Sequence, residues 1–198
     1  GFDLRAESPV LIVGRGAVAA QALVDTTGRN RALIQDMLIG GAAPSAILDA
    51  LENSDSSHIR RQYGFADVAG RTLTFSGSLA NEWKGGVTGS VEGVVYAIQG
   101  NILTGAPVVD AAEQALVDAL SADADLAEAL MVSMEAARLL GGGGRCSCDF
   151  GPTDCGAPPV PSDHETNKTA EDGTIILARP RTTPQPIRRS RNTAPSHA

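Results

Sequence analysis

The stretch VEGVVYAIQGNILTG, residues 91–105, decides the fold of this chain. From Val94 to Ile98 nearly every side chain is branched or aromatic, which suits a pleated, buried surface and predicts a central strand. Gln99-Gly100-Asn101 then sets two amides around a glycine, a residue that breaks a strand and lets a backbone or ligand come close. Pro107 and an apolar-periodic helix follow. The end of this buried strand, beside a helix start, is therefore a candidate pocket.

The first fifty residues predict a pair of strands and then a pair of helices. Pro9 to Val13 and the small apolar run 17–24 are predicted strands, joined by a turn at Gly14-Arg15-Gly16. Apolar side chains at helical spacing predict one helix over 31–39 and another that begins at Pro44. The strand followed by Gly-x-Gly-x-x-Ala also resembles a dinucleotide-binding turn, but no second strand with an acidic residue follows. A hairpin is the favoured interpretation.

A second strand pair and a second helix pair flank the central strand. Arg60 to Val68 and Arg71 to Phe75 alternate and predict a β-hairpin, whereas residues 83–86 are predicted to be loop. Helices are predicted over 107–120 and 125–140, and a last strand over 173–178. We expect the second of these helices to bury Leu126, Leu130, Met131, Met134 and Leu139. Because strand pairs alternate with helix pairs, the order favours an α+β layered sandwich over a doubly wound sheet.

Length and charge limit the class of protein. The chain of 198 residues and 20.3 kDa fits one domain, which we assign to residues 1–180, with a disordered tail at 181–198. A net charge of −7 argues against nucleic acid as the main partner, because phosphate binding needs clustered Lys and Arg. No apolar run approaches the ~18 residues of a membrane span. We therefore expect a small molecule or peptide as partner, and no cofactor.

Five short motifs occur along the chain, and their order is informative. They are RRQYG at 60–64, the segment from Gly70-Arg71 to FSG at 75–77, QGNIL at 99–103, DLAEAL at 125–130 and GGRC at 143–146. Together they resemble the DUF1028 proteins, a bacterial family of unknown function with an Ntn-hydrolase-like fold. The resemblance covers about residues 1–180, in order and with few gaps. Each motif is modest alone, and their order makes the match specific.

The resemblance implies a four-layer αββα sandwich of the Ntn-hydrolase type, with one or more opening strands that this chain lacks. An N-terminal-nucleophile hydrolase uses Thr, Ser or Cys at its mature first residue, and Gly1 offers no such side chain. The resemblance and the absence of such a side chain at Gly1 leave two alternative functions open. One is hydrolysis of an amide-type bond near Gln99 and Asn101, and the other is a non-catalytic binding or surface-assembly module. A homo-oligomer is an expectation from the resemblance alone.

The candidate pocket consists of Gln99, Asn101 and Arg61. The two amides are suited to donate hydrogen bonds to a substrate carbonyl or oxyanion, and their structural alternative is to cap the strand end. Arg60 and Arg61 flank a predicted strand, where one of them is suited to hold a carboxylate through two parallel hydrogen bonds. A surface ion pair is the alternative for these arginines.

The Gly-rich loop 141–160 contains three cysteines in a span of ten residues: Cys146, Cys148 and Cys155. A zinc site would need a fourth ligand, and His164 stands nine residues past Cys155, outside the usual finger spacing. Disulfides fit this loop better, because a segment without a core of its own gains most from cross-linking. We therefore expect no metal, a disulfide-linked loop with the odd thiol paired to a missing N-terminal segment, and a secreted or periplasmic protein.

Overall fold

A computed structural model of the chain describes residues 8–81, 83–143 and 173–179. The Cys-rich loop from residue 144 onward and the predicted tail 181–198 lie outside these residues. In chain order the elements are β1 (Pro9–Ile12), β2 (Gly16–Ala22), α1 (Arg29–Ile39), α2 (Pro44–Ser54), a 3-10 turn (His58–Arg60), β3 (Arg61–Asp67), β4 (Thr72–Ser76), β5 (Lys84–Val91), β6 (Val94–Asn101), α3 (Ala106–Ser121), α4 (Leu126–Leu139) and β7 (Gly173–Ala178).

The strands form two antiparallel sheets, one in the order β1-β2-β3-β4 and the other in the order β5-β6-β7. Helices α1 and α2 cover the outer face of the first sheet, where Ile34 and Ile47 pack with Tyr63 and Phe65. Helix α3 covers the outer face of the second sheet, and α4 packs against α3. The inner faces meet through small side chains: Ala17, Ala19, Ala66, Ala97 and Ala178, with Val95 and Ile176. The predicted α+β layered arrangement is confirmed.

Strand β6 is the central strand of its sheet, as its composition predicts. Val94, Tyr96 and Ile98 face the helices, while Val95 and Ala97 face the other sheet. The strand does not end before Gln99 but continues to Asn101. Gly100 pairs with Gly85 on one side and Gly173 on the other, so its backbone is held by both neighbouring strands despite the missing side chain.

The prediction of a loop at residues 83–86 is wrong, because strand β5 runs from Lys84 to Val91. Its glycines suggest a loop, but they make room for aromatic side chains. A Cβ at Gly85 would overlap the indole of Trp83, and one at Gly89 would overlap the phenol of Tyr96. Glycine in this strand therefore marks close approach by a neighbour rather than the absence of a strand.

The predicted buried side of α4 is also wrong. Ala129 and Ser133 are its buried residues, while Met131, Met134 and Leu139 are exposed. Ser133 Oγ donates a hydrogen bond of 2.6 Å to the carbonyl oxygen of Ala112, so small residues let α4 lie close against α3. The apolar pattern alone cannot show this choice, because apolar residues occur on several sides of this helix.

The turn Gly14-Arg15-Gly16 joins two antiparallel strands, as the hairpin interpretation predicts. Pro9 pairs with Ala19 and Ile12 with Gly16, and Gly14 has a φ of 74°. A dinucleotide-binding turn would instead lead from a strand into a helix whose N-terminus faces the phosphates. That interpretation is excluded here.

We expect Gly89→Ala to lower the free energy of unfolding by about 1–3 kcal/mol, because the new methyl group overpacks a fixed ring. Tyr96 cannot move freely, since its hydroxyl donates a 2.7 Å hydrogen bond to Glu113 Oε1. Urea unfolding followed by circular dichroism measures the change. Ser90→Ala, at the neighbouring exposed position, is the control and should stay within about 0.5 kcal/mol of the wild type. A Gly89→Ala protein as stable as the wild type would contradict this packing.

Candidate functional site

A cleft of about 120 Å³ opens at one end of the layer between the two sheets. The ends of β2 and β6, the start of β3 and the loop after β4 meet there. The lining residues are Ala22, Leu23, Arg60, Leu79, Ala80, Asn81, Asn101 and Ile102.

The floor of the cleft carries the amide of Asn101. This residue is 4% exposed, and its side chain makes no hydrogen bond to any residue that the structure describes. Unlike Gln99 Oε1, which is fully buried without a partner among the described residues, the amide atoms of Asn101 are reached from the cleft. Within the cleft, the amide is available to donate through Nδ2 and accept through Oδ1.

The mouth of the cleft is polar on one side and apolar on the other. Arg60 and Asn81 are exposed there, and Arg60 has no ion pair with any described residue. Leu23 and Leu79, both about half exposed, supply the apolar wall. The cleft therefore offers one cation, two amides and an apolar wall.

Two lining residues have left-handed backbone conformations. Ala22 ends β2 with a φ of 73°, and Ile102 follows β6 with a φ of 56°. This region is unfavourable for residues other than glycine, and it is rarest for a β-branched residue such as isoleucine. Strained backbone of this kind clusters at functional sites, where the surrounding structure holds it in place.

Gln99 lies one step deeper than Asn101 on the same face of β6, and it is 2% exposed. Its amide rests against Gly64 of the opposite sheet, where an added Cβ would lie 2.8 Å from Gln99 Oε1. Nε2 donates a long hydrogen bond of 3.5 Å to the Ala19 carbonyl, and Oε1 has no partner among the described residues. Gln99 therefore supports the site from behind and does not line the cleft.

A further glutamine, Gln62, links the two sheets beside the cleft. Its Nε2 donates to the carbonyl oxygens of Gly85 and Gly100 in the second sheet, at 3.2 and 2.8 Å. Its Oε1 accepts a 2.6 Å hydrogen bond from Gln21 of the neighbouring strand. The sequence did not identify Gln62 as a site residue. It does lie on the inner face, because alternate residues of β3, Gln62, Gly64 and Ala66, point to the same side of the sheet.

Arg61 points to the opposite face of its sheet, toward α1 and α2. Its Nε donates 2.8 Å to Asp55 Oδ2, and Nη1 donates to the carbonyl of Leu23. Asn30 Nδ2 joins the network through bonds of 2.6 Å to Asp55 Oδ2 and 3.2 Å to the Tyr63 hydroxyl. Arg61 thus holds a carboxylate of the protein itself, and through Leu23 it fixes one wall of the cleft.

Hydrogen bonds and burial together set the charge states of Asp55 and Tyr63 in this network. Burial alone would raise the pKa of Asp55, but hydrogen bonds from Arg61, Asn30 and the Ser57 backbone outweigh it and hold the pKa below 3.8. The pKa of Tyr63 is raised, chiefly by burial and then by the nearby Asp55 charge. Both groups therefore keep one charge state at neutral pH, which suits a structural role.

The structure brings two of the three predicted pocket residues into one layer and separates the third. Asn101 lines the cleft, Gln99 lies behind it, and Arg61 lies on the helix side of the first sheet. Arg60, its neighbour in sequence, is the arginine at the cleft. Cys146, Cys148 and Cys155 lie outside the described residues.

Within residues 8–81, 83–143 and 173–179, no group of three or more His, Cys, Asp or Glu side chains is placed to hold a metal ion. No helix of the same residues has both the length and the apolar character that crossing a bilayer requires.

The fold and the cleft define an α+β protein of two antiparallel sheets, with a small cleft at one end of its inter-sheet layer. The chain belongs to DUF1028, a family of unknown function whose model matches residues 6–148, which confirms the resemblance of the motifs. It is similar to the crystal structure of protein SPO2555 from Silicibacter pomeroyi, of the same family, with a TM-score of 0.59 and 22% identity. The likeness covers 70% of this chain and 60% of that one, and at this identity it shows the fold alone. No curated protein matches the chain.

We expect Asp55→Asn to destabilise the protein by about 3–5 kcal/mol at pH 7, because it leaves the guanidinium of Arg61 buried without its counter-charge. The folded-state pKa of Asp55 is depressed, so its contribution is complete above about pH 4 and is lost as the pH falls through the folded value. Urea unfolding at pH 7 and pH 3 measures both effects. The gap between variant and wild type should narrow at the lower pH.

Asp49→Asn is the matched control, since Asp49 is an exposed residue of α2. It should change stability by less than about 0.5 kcal/mol at either pH. A gap of equal size at pH 7 and pH 3 for Asp55→Asn would contradict the depressed pKa.

Proposed function

We propose that the cleft binds a small molecule through a carboxylate or an amide carbonyl. The observation that carries this proposal is the amide of Asn101, a largely buried residue that lines the cleft and whose side chain has no hydrogen-bond partner among the described residues. A ligand oxygen that accepts from Asn101 Nδ2 satisfies a group that the fold leaves open. Such a polar group, placed at the floor of a concave site, fixes the orientation of a ligand.

The charge and size of the cleft narrow the class of ligand. Arg60 at the mouth is an unpaired guanidinium within the described chain, and this group binds carboxylates through two parallel hydrogen bonds. A volume of about 120 Å³ is below the roughly 300–1,000 Å³ of drug-sized pockets. The ligand is therefore of amino-acid size, or it is the end of a longer molecule such as a peptide.

Amide hydrolysis is the second candidate function. It is favoured by the Asn101 amide, which is placed to donate to a carbonyl oxygen as negative charge develops on it. The motif resemblance and the four layers support an Ntn-hydrolase type of fold, although a shared fold does not establish a shared reaction. The eight lining residues include no hydroxyl, thiol or amine side chain. Hydrolysis at this cleft therefore needs a nucleophile from another part of the protein.

Binding of N-acetyl amino acids and their primary amides tests the first candidate, by isothermal titration calorimetry on the full chain. We expect Asn101→Ala to weaken binding of both series about tenfold or more, because both lose the same donor. Arg60→Gln should weaken the acids about tenfold and leave the amides nearly unchanged, because it removes only the charge.

Arg29→Gln is the control for the charge change, since Arg29 is an exposed arginine of α1 remote from the cleft lining. Unfolding midpoints in urea show whether each variant keeps its fold. If no member of either series binds below about 10 mM, the proposed ligand class is wrong. Release of ammonia from the amides distinguishes the two functions: binding with release supports hydrolysis, and binding without release supports a binding module.

We further propose that the protein is exported and that its Cys-rich loop is cross-linked. The support is in the sequence, where three cysteines fall within residues 146–155. Alkylation of the unreduced, denatured protein followed by mass spectrometry should modify one thiol or none. After reduction the same procedure should modify three, which is the control for reagent access. Three modified thiols without reduction would contradict both the cross-link and the export argument.

A further inference from the structure

Helix α4 carries much of the apolar surface that the described chain exposes. Six apolar residues in and just after this helix are at least one-third exposed: Leu126 (37%), Met131 (64%), Val132 (41%), Met134 (54%), Leu139 (68%) and Leu140 (48%). Its fully buried residues are Ala129 and Ser133 on the side that faces α3, and Ala137 on the same side is partly buried. A helix with apolar residues on several sides is usually packed against other protein segments on several sides.

The exposed residues form two apolar flanks around a charged ridge. Met131 and Met134 are three residues apart and share one flank, whereas Val132 and Leu139 are seven apart and share the other. Glu128 and Glu135 lie between the flanks. Arg138 lies beside the methionines and donates a 2.6 Å hydrogen bond to Glu135 Oε1, with both side chains about half exposed.

The size of this surface matches a protein contact. The exposed fractions of the four flank residues add up to about two whole side chains, on the order of 400 Å² of apolar surface. That lies within the range of the largest patch on a typical monomer, roughly 300–600 Å². A stable interface buries about 800 Å² on each partner, which this patch approaches once its charged residues are included.

The charges along α4 are complementary to a second copy of the same helix. If two copies of α4 pack antiparallel through their exposed faces and cross at the level of residue 133 along the helix axis, residue 138 of one aligns with residue 128 of the other. Each Arg138 then meets the Glu128 of its partner, and the arrangement repeats on both sides of a two-fold axis. The methionines of both copies lie near that axis, where their flexible thioethers fill an imperfectly matched surface. A single patch that is its own complement is the requirement for a two-fold dimer.

We propose that the protein forms a two-fold symmetric dimer through the exposed face of α4, with Met131 and Met134 at its centre. Sedimentation equilibrium of the full chain from micromolar to millimolar concentration tests the proposal. The wild type should approach twice its 20.3 kDa mass. Met131→Glu should raise the dissociation constant at least tenfold, because it places two like charges near the axis.

Charge reversal tests the antiparallel alignment separately from the apolar contact. Arg138→Glu should weaken the dimer by about tenfold, because the new carboxylate would face Glu128 of the second copy and repel it. The double change Glu128→Arg with Arg138→Glu restores opposite charges across the interface and should recover the affinity to within about threefold of the wild type. Loss of an internal ion pair alone would not be rescued in this way, because the partner of Arg138 within the helix is Glu135.

Val13→Gln is the matched control, since Val13 is 93% exposed on the β1–β2 turn and not on α4. It should leave the dissociation constant unchanged, and urea unfolding checks that every variant is folded. A wild type that stays monomeric throughout the range overturns the proposal, as does a Met131→Glu protein with wild-type affinity. Assembly beyond a dimer overturns the closed two-fold arrangement.

Discussion

The close contact between the two sheets is the constraint on which the rest of the structure depends. The two inner faces meet mainly through alanine, as at Ala19, Ala66 and Ala97, and through the bare backbone of Gly64. Side chains of this size let the sheets approach closely, and a larger residue at Gly64 would collide with Gln99. The large apolar residues lie on the outer faces instead, where the helices cover them. Each sheet therefore has its bulky core on one side and a thin contact on the other.

The candidate site follows from how this inner layer changes along one strand. On β6 the inward positions are Val95, Ala97, Gln99 and Asn101, which become polar toward the strand end. On β3 the inward residue nearest the same end is Gln62, whose amide bonds to carbonyls of the opposite sheet. The buried amide of Gln62 holds the sheets together there through hydrogen bonds. Separating the sheets would leave polar groups unpaired in a low-dielectric interior, which is costly. Asn101 is the last of the series, and it meets the cleft.

The layered architecture was predictable from sequence because the patterns of apolar residues that mark its main helices and its central strand extend over many residues. The run at 94–98 has a strand composition, and the helices α1 to α3 show apolar residues at helical spacing. Strand β5 was not predictable, because its glycines match aromatic rings that come from elsewhere in the chain. The buried side of α4 depends on the approach of α3, which sequence periodicity does not contain. Long-range packing therefore sets the limit on what local patterns show.

The two arginines at the start of β3 show that sequence patterns also fail to identify which residues line the site. Arg60 and Arg61 have the same chemistry, and only the turn of the backbone at the start of β3 decides which one is buried. Arg61 binds Asp55 inside the protein, which leaves Arg60 at the cleft. The net charge of −7 would repel an anionic ligand at long range, yet at physiological salt charges are screened beyond about 8 Å. A carboxylate in the cleft would lie within this distance of the Arg60 guanidinium, whereas most of the negative charge of the chain is spread over more distant surface. For the carboxylate ligand proposed above, we expect the affinity to depend on Arg60 at the cleft mouth, whereas the overall acidity of the protein mainly slows the approach of the ligand.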